Sequence, residues 1–115
     1  MPIKILELIA SPKPYKRFRI KIREGDDNIA VIKAYDFGLD TGMTYLDHED
    51  IKKREAYWAR HCGNKKEKEL IENLIPSPAL FSARLLWGSS TDIMENMVEL
   101  QKDFNRVAKL REKKG

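Results

Sequence analysis

Several function classes are closed to this chain by what it lacks. A single cysteine, Cys62, leaves nothing for an internal disulfide to form with. No stretch approaches the ~20 consecutive apolar residues of a membrane span. The opening segment MPIKILELIA holds an apolar patch of only about seven residues, and Glu7 interrupts it, so it does not read as a secretory leader. The expectation is a reducing, intracellular setting and no secretion. There is no Gly-rich phosphate loop. Asp36-Phe37-Gly38 spells the magnesium-binding tripeptide of protein kinases but has none of the accompanying kinase motifs, so it reads as a strand end with an aromatic plug and a turn glycine.

Metal chemistry is poorly served too. Asp47, His48, Asp50, His61 and Cys62 are the candidate ligands. If one helix carries residues 48–61, the two histidines stand ~20 Å apart at 1.5 Å per residue, whereas zinc ligands converge within ~2 Å of one ion. They can share a site only if that helix is broken between them. His61-Cys62 has no second Cys/His pair to complete a tetrahedral set. Cys62 at a helix C-terminus meets the negative end of the dipole, which disfavours a thiolate. No convergent acid/base, nucleophile or metal set is legible, so the expectation is no enzyme, no cofactor and no metal.

What the chain does have is charge in an uneven pattern. The 115 residues fit one domain, and the 42% hydrophobic content suffices for a core. Net charge is only +4. Residues 11–23 nevertheless carry Lys13, Lys16, Arg17, Arg19, Lys21 and Arg23 with no acid, and Arg106, Lys109, Arg111, Lys113 and Lys114 follow near the end against Glu112 alone. The remaining body, residues 24–105, must be net acidic. A basic strand and a basic tail at about 108–115 flank an acidic middle, which favours polyanion contact or packing between copies.

Periodicity predicts α+β. Ile3–Ile9 reads as a short strand closed by Ser11-Pro12-Lys13-Pro14. Residues 15–24 alternate, with Phe18, Ile20 and Ile22 facing one way and Arg17, Arg19, Lys21 and Arg23 the other. Gly25-Asp26-Asp27-Asn28 is turn chemistry, and Ile29–Phe37 completes a hairpin. Gly38–Leu46 reads as a loop in which Gly38 and Gly42 supply unusual backbone angles. Asp47 is the expected cap of a helix running to about His61, with Glu49–Lys53 and Asp50–Arg54 as i,i+4 pairs. A shorter helix follows over Lys65–Ile75, with Lys65–Glu69 and Lys68–Glu72 pairs. Ser77 caps and Pro78 starts a central apolar helix to Trp87. Thr91 or Asp92 caps a long last helix, where Ile93, Met97, Leu100, Phe104 and Val107 form an apolar stripe that Met94 and Val98 widen. A small antiparallel sheet (about 3–37) thus packs on three to four helices (about 47–112). The predicted core is Phe18, Ile20, Ile22, Ile51, Trp58, Leu85, Leu86, Met97, Leu100 and Phe104.

The basic strand is the strongest functional signal. Alternate strand residues lie ~6.6 Å apart on one side, so Arg17, Arg19, Lys21 and Arg23 make a row about 20 Å long. Such a row can track a phosphate backbone of DNA or RNA, joined by Lys109, Arg111, Lys113 and Lys114 of the tail. The competing reading is a face neutralised by the acidic body or by another chain.

Phe37-Gly38, Gly42, Tyr45, His48-Glu49-Asp50, Arg54, Tyr57, Arg60-His61, Ser82, Leu85-Leu86-Trp87 and the final helix through Phe104 share their order and spacing with a known group. On these residues the chain resembles a family of small uncharacterised proteins of nucleocytoplasmic large DNA viruses. Where that family tends to carry a basic–aromatic pair after the serine, this chain has Ala83 and Arg84. The resemblance brings no catalytic residues. It implies a setting, the host-cell cytoplasm, a virus factory or the virion, and a role as a structural or minor capsid component meeting other viral proteins or itself. It also implies that His48, Tyr57, Arg60, His61 and Trp87 join the first helix to the central one.

Overall fold

A computed structural model describes residues 2–25, 30–39 and 43–114, with side chains through Leu110 apart from that of Leu39. Three strands, β1 (Ile3–Ala10), β2 (Lys16–Glu24) and β3 (Val31–Leu39), form an antiparallel sheet in the order β1-β2-β3. Helices cover one face, so the fold is α+β. Of the expected turn, Asp26, Asp27 and Asn28 lie outside the described residues, as do Ile29 and Gly42. Gly38 has φ 78°, a conformation natural to glycine, and a Cβ there would stand 2.9 Å from Leu86 Cδ1.

The alternation of β2 holds. Ile20 and Ile22 are fully buried, with Phe18 packed beside them, and the basic residues take the opposite face. β1 contains a one-residue bulge. Ile5 opposes Ile22 and Glu7 opposes Lys21, leaving Leu6 as the extra residue. Strict alternation from Ile3 and Ile5 would aim Glu7 at the core. The bulge resets the phase, so Leu8 packs on the core and Glu7 faces out opposite Lys21.

β1 completes the protein's own sheet. Its outer edge is met by a side-chain amide from the last helix. Ile5 N–H donates to Gln101 Oε1 at 2.7 Å, and Gln101 Nε2 donates to the Ile3 carbonyl at 2.8 Å. Gln101 thereby pairs like one residue of a fourth strand.

The expected helix over 47–61 is broken. Thr44 precedes a single turn, α1 (Tyr45–His48), and the Asp47 carboxylate accepts from the Thr44 N–H and hydroxyl at 2.8 and 2.9 Å. Glu49 then adopts φ 55°. The long helix α2 (Ile51–Cys62) starts afresh with Asp50 as its cap, accepting from Lys52 and Lys53 N–H. Asp50 is therefore a cap, not the partner of Arg54, which turns instead to Gly88. Ile51, at the first position of α2, is 59% exposed and not in the core. α3 (Lys65–Glu72) is capped by Asn64 and carries the Lys68–Glu72 pair at 3.9 Å; neither Lys65–Glu69 nor Glu49–Lys53 forms an ion pair.

Ser77 and Pro78 start α4 (Pro78–Phe81) as expected, the Ser77 hydroxyl accepting from Leu80 N–H. Ser82–Leu86 then widens into a π-helix, with Trp87 N–H bonding the Ser82 carbonyl five residues back. Leu80, Phe81, Ala83, Leu85 and Leu86 are buried, which makes this segment central. The last helix, α5 (Ile93–Lys114), begins after Asp92, whose carboxylate accepts from Met94 N–H. Its stripe, with Leu100 and Phe104 buried, covers the sheet and the π-helix. Met94 and Val98 are exposed; they flank the stripe without joining it.

A wide turn leaves backbone groups to be satisfied. Buried Asn96 of α5 does this. Its Nδ2 donates to the carbonyls of Leu85 and Ser90 at 3.0 and 2.9 Å, and its Oδ1 accepts from Ser90 N–H at 3.0 Å. Gly88 lies against it, and an added Cβ would fall 2.3 Å from the Arg84 carbonyl oxygen and 2.6 Å from Asn96 Cγ.

Candidate functional site

Two surfaces hold the chemistry, the open face of the sheet and a cleft beside α2. The basic row lies on the open face as the alternation predicts, but its members are engaged. Arg17 forks onto Asp47 at 2.7 and 2.9 Å. Arg19 forks onto Asp36, directly across on β3, at 2.9 and 3.1 Å. Lys21 meets Glu7 at 3.7 Å and Lys13 meets Asp36 at 3.5 Å. Arg23 is part-buried on the same face. The pairing is electrostatically firm. Arg19, then the Ser11 hydroxyl at 2.6 Å, hold the Asp36 carboxyl well below the usual carboxylate range. Arg17 and the Thr44 backbone do the same for Asp47. Two acids of the body, Asp36 and Asp47, thus pair with the basic strand within one molecule. Around these pairs Leu6, Ile9 and Ile32 are exposed.

Of the basic tail, Lys109 does not join the row. Lys109 is exposed on α5, in the helical layer on the other side of the sheet. The side chains of Arg111, Lys113 and Lys114 lie outside the described residues.

The cleft was not legible as a site. α2 is fastened to the end of the π-helix by Arg54 Nε, which donates to the Gly88 carbonyl at 2.7 Å, and by Trp58 Nε1, which donates to the Trp87 carbonyl at 2.8 Å. The Arg54 guanidinium lies over the Tyr45 and Trp58 rings. This seats Trp87 flat on Tyr57, with ring centres 4.4 Å apart and planes 5° apart. His61 continues the stack 4.1 Å beyond Tyr57, and His48 flanks Trp87 at 5.3 Å. The four rings run His48, Trp87, Tyr57, His61. The break at Glu49 that could have let the histidines meet leaves the Trp87–Tyr57 pair between them. His48 Nδ1 accepts from Asp50 N–H at 3.0 Å, and its buried Nε2 has no partner. Among the described residues no three of His, Cys, Asp and Glu cluster as metal ligands, and Cys62 is exposed.

Beside this stack opens a cleft of about 560 Å³. Phe37, Pro78, Leu86 and Trp87 give it apolar walls, and Lys16, Arg60, His61 and Glu67 line it with charge. His61 Nδ1 stands 2.5 Å from Glu67 Oε2. Burial, then the Glu67 charge, pushes the Tyr57 phenol up to about 12, so it stays protonated. Sequence reasoning singled out Tyr57, Arg60 and Trp87 only as joining residues, and His61 as one of these and as a candidate metal ligand. Their i, i+3, i+4 spacing on α2 was the available signal. Glu67 on α3 and Lys16 at the start of β2 carried none.

A sequence profile described as a family of unknown function, DUF5754, matches residues 6–61, just under half of the chain. The match spans the sheet through α2 and includes Lys16, Tyr57, Arg60 and His61, but stops short of Glu67, Ser82 and Trp87. No curated protein and no solved structure matches the chain significantly. Among the described residues no helix is long and apolar enough to cross a membrane.

Proposed function

We propose that this is a non-catalytic interaction protein, a structural or minor capsid component of a large DNA virus. It docks another viral protein, or a second copy of itself, through the open face of its sheet. The observation that supports this is the make-up of that face, in which guanidiniums pre-set by bidentate carboxylates lie among exposed Leu6, Ile9 and Ile32. Interfaces are enriched in arginine and in apolar anchors. Side chains already held in place lose less freedom on binding. The viral setting, in the host cytoplasm, a virus factory or the virion, rests on the resemblance over Phe37–Phe104. The non-catalytic reading is supported by the separation of His48 and His61 across the Trp87–Tyr57 stack.

A second reading, contact with the phosphates of DNA or RNA, draws support from one observation. Among the described residues the face is net positive, because Lys4 and Arg23 add to the row while Glu7, Asp36 and Asp47 are its acids. Against it, a phosphate must displace carboxylates that already fork onto Arg17 and Arg19.

The test pairs a virion proteome with a salt titration. The docking reading expects many copies in purified particles, and loss of that incorporation in Ile9→Asp/Ile32→Asp. Absence from particles, together with recovery on nucleic acid from infected-cell extracts, defeats it. The phosphate reading expects binding to duplex or single-stranded DNA that weakens steeply with salt and fails in Lys4→Glu/Lys21→Glu. No binding at low salt ends it.

A further inference from the structure

Some of this protein's cations find carboxylates and some do not. Arg17, Arg19, Lys21, Lys33, Arg84 and Arg106 each have one within ion-pair distance. Lys16 and Arg60 do not among the described residues, and both line the cleft beside the aromatic stack. They come from different elements, Lys16 from the start of β2 and Arg60 from the last turn of α2. A helix C-terminus accounts for a cation at Arg60, but it leaves the guanidinium donors unused. Two unpaired cations across a concave, low-dielectric surface concentrate anions there.

Among the described residues the cleft holds one carboxylate. Glu67 is held on His61 Nδ1; its charge stays in the cleft, where Lys16 and Arg60 outnumber it two to one. The carboxylate also fixes Nδ1 as the proton-bearing nitrogen, the usual way a second group sets an imidazole's tautomer. The rest of the lining is apolar and flat: Phe37, Leu86, Pro78 and the Trp87 ring. The volume, about 560 Å³, falls within the range of small-molecule sites. The π-helix that shapes one wall and presents Ser82 to the cleft is a distortion often found where a helix serves a site.

We propose that this cleft binds a small organic phosphate, a phosphate monoester carried on a flat, largely apolar body. Arg60 forks onto the phosphate oxygens, Lys16 supplies a second positive charge, and the body lies against the apolar lining. This site is separate from the open face of the sheet, so it stands or falls independently of the docking reading.

Isothermal titration of the full chain with the four nucleoside 5′-monophosphates, their parent nucleosides and inorganic phosphate tests the assignment. The monophosphates should bind saturably with a dissociation constant on the order of 0.1–1 mM. Lys16→Ala and Arg60→Ala should each weaken binding several-fold, and the double variant at least about tenfold, one decade in affinity. Lys52→Ala/Lys102→Ala, which removes two exposed cations outside the cleft, should bind as the wild type does. Lys16 and Arg60 are exposed, so the variants should melt as the parent does, and a thermal melt of each confirms that lost binding is not lost folding. Nucleosides binding as well as monophosphates, a double variant binding like the parent, or no heat from any monophosphate overturns the phosphate site. Inorganic phosphate binding as tightly as the monophosphates overturns the role given to the apolar lining.

Discussion

Asn96→Ala removes the side chain that satisfies the end of the π-helix, and its cost can be worked from the contacts. The Leu85 carbonyl is fully buried and loses its donor, for about 1–3 kcal/mol. The two bonds to Ser90 are part-buried and add roughly 0.5–1 kcal/mol each. The expected loss is about 3 kcal/mol, or roughly 10–12 °C in Tm for a chain of this size. Gly88→Ala attacks the same joint from the other side. Its Cβ would overlap the Arg84 carbonyl and the Asn96 carboxamide, an overpacking worth about 1–3 kcal/mol. Two of the three close contacts are with Asn96, so the two changes should not add. In the Asn96→Ala background Gly88→Ala should cost about 1 kcal/mol less than in the parent. Urea unfolding of all four proteins gives the cycle, and the near-UV signal of Trp87, next to Gly88, reports whether the joint has moved. An Asn96→Ala loss below about 0.5 kcal/mol, or strict additivity, would refute the claim that Asn96 holds this turn.

Acid should act through the two forked carboxylates. Asp36 and Asp47 have folded-state values below the ordinary 3.8, so their contribution is fully present above that value and is lost as pH falls below it. Unfolding monitored by circular dichroism should therefore steepen below about pH 4, and Asp36→Asn/Asp47→Asn should flatten the slope; an unchanged slope contradicts the pairing. Leu100→Ala, at a fully buried position, should cost about 2–5 kcal/mol, while Ile51→Ser should stay within about 0.5 kcal/mol; equal costs in denaturant would mean that the exposure of Ile51 is misplaced. Tyr15 is 75% exposed at φ 69°, so Tyr15→Gly should relieve strain and raise stability by about 0.5–1 kcal/mol; a lowered Tm would show that the ring holds the turn.

Much of the fold was readable because its signals are local. β2 carries both a period of two and a change from apolar to basic on alternate residues, so its faces were plain. Ser77-Pro78 and Asp92 are cap chemistry that needs no tertiary information. The misses have physical reasons. Asp47, Glu49 and Asp50 lie together, and two of them act as first-turn acceptors for different helical segments. Nothing in a glutamate announces the left-handed backbone at Glu49 that separates them. The bulge at Leu6 moves Glu7 from one face to the other, and only the pairing with β2 reveals it. Arg19 and Asp36 were each visible, but their contact follows from hairpin register. The cleft depended most on tertiary placement. It needs α3 to bring Glu67 to His61, and it needs a π-helix, which no residue type encodes, to lay Trp87 on Tyr57.

The grip of Gln101 on Ile3 and Ile5 has a consequence for biosynthesis. All three strands have left the ribosome once Leu39 has, yet the β1 flank of the apolar face and the outer edge of β1 wait for Leu100, Gln101 and Phe104, about 65 residues later. At ordinary translation speeds that interval is roughly 3–13 s. For that time the nascent chain carries a sheet with one apolar flank uncovered and an unclaimed strand, the state that holdase chaperones receive and that neighbouring polysomes can entangle. Maturation of this protein is therefore expected to wait for the last helix, which acts as the latch.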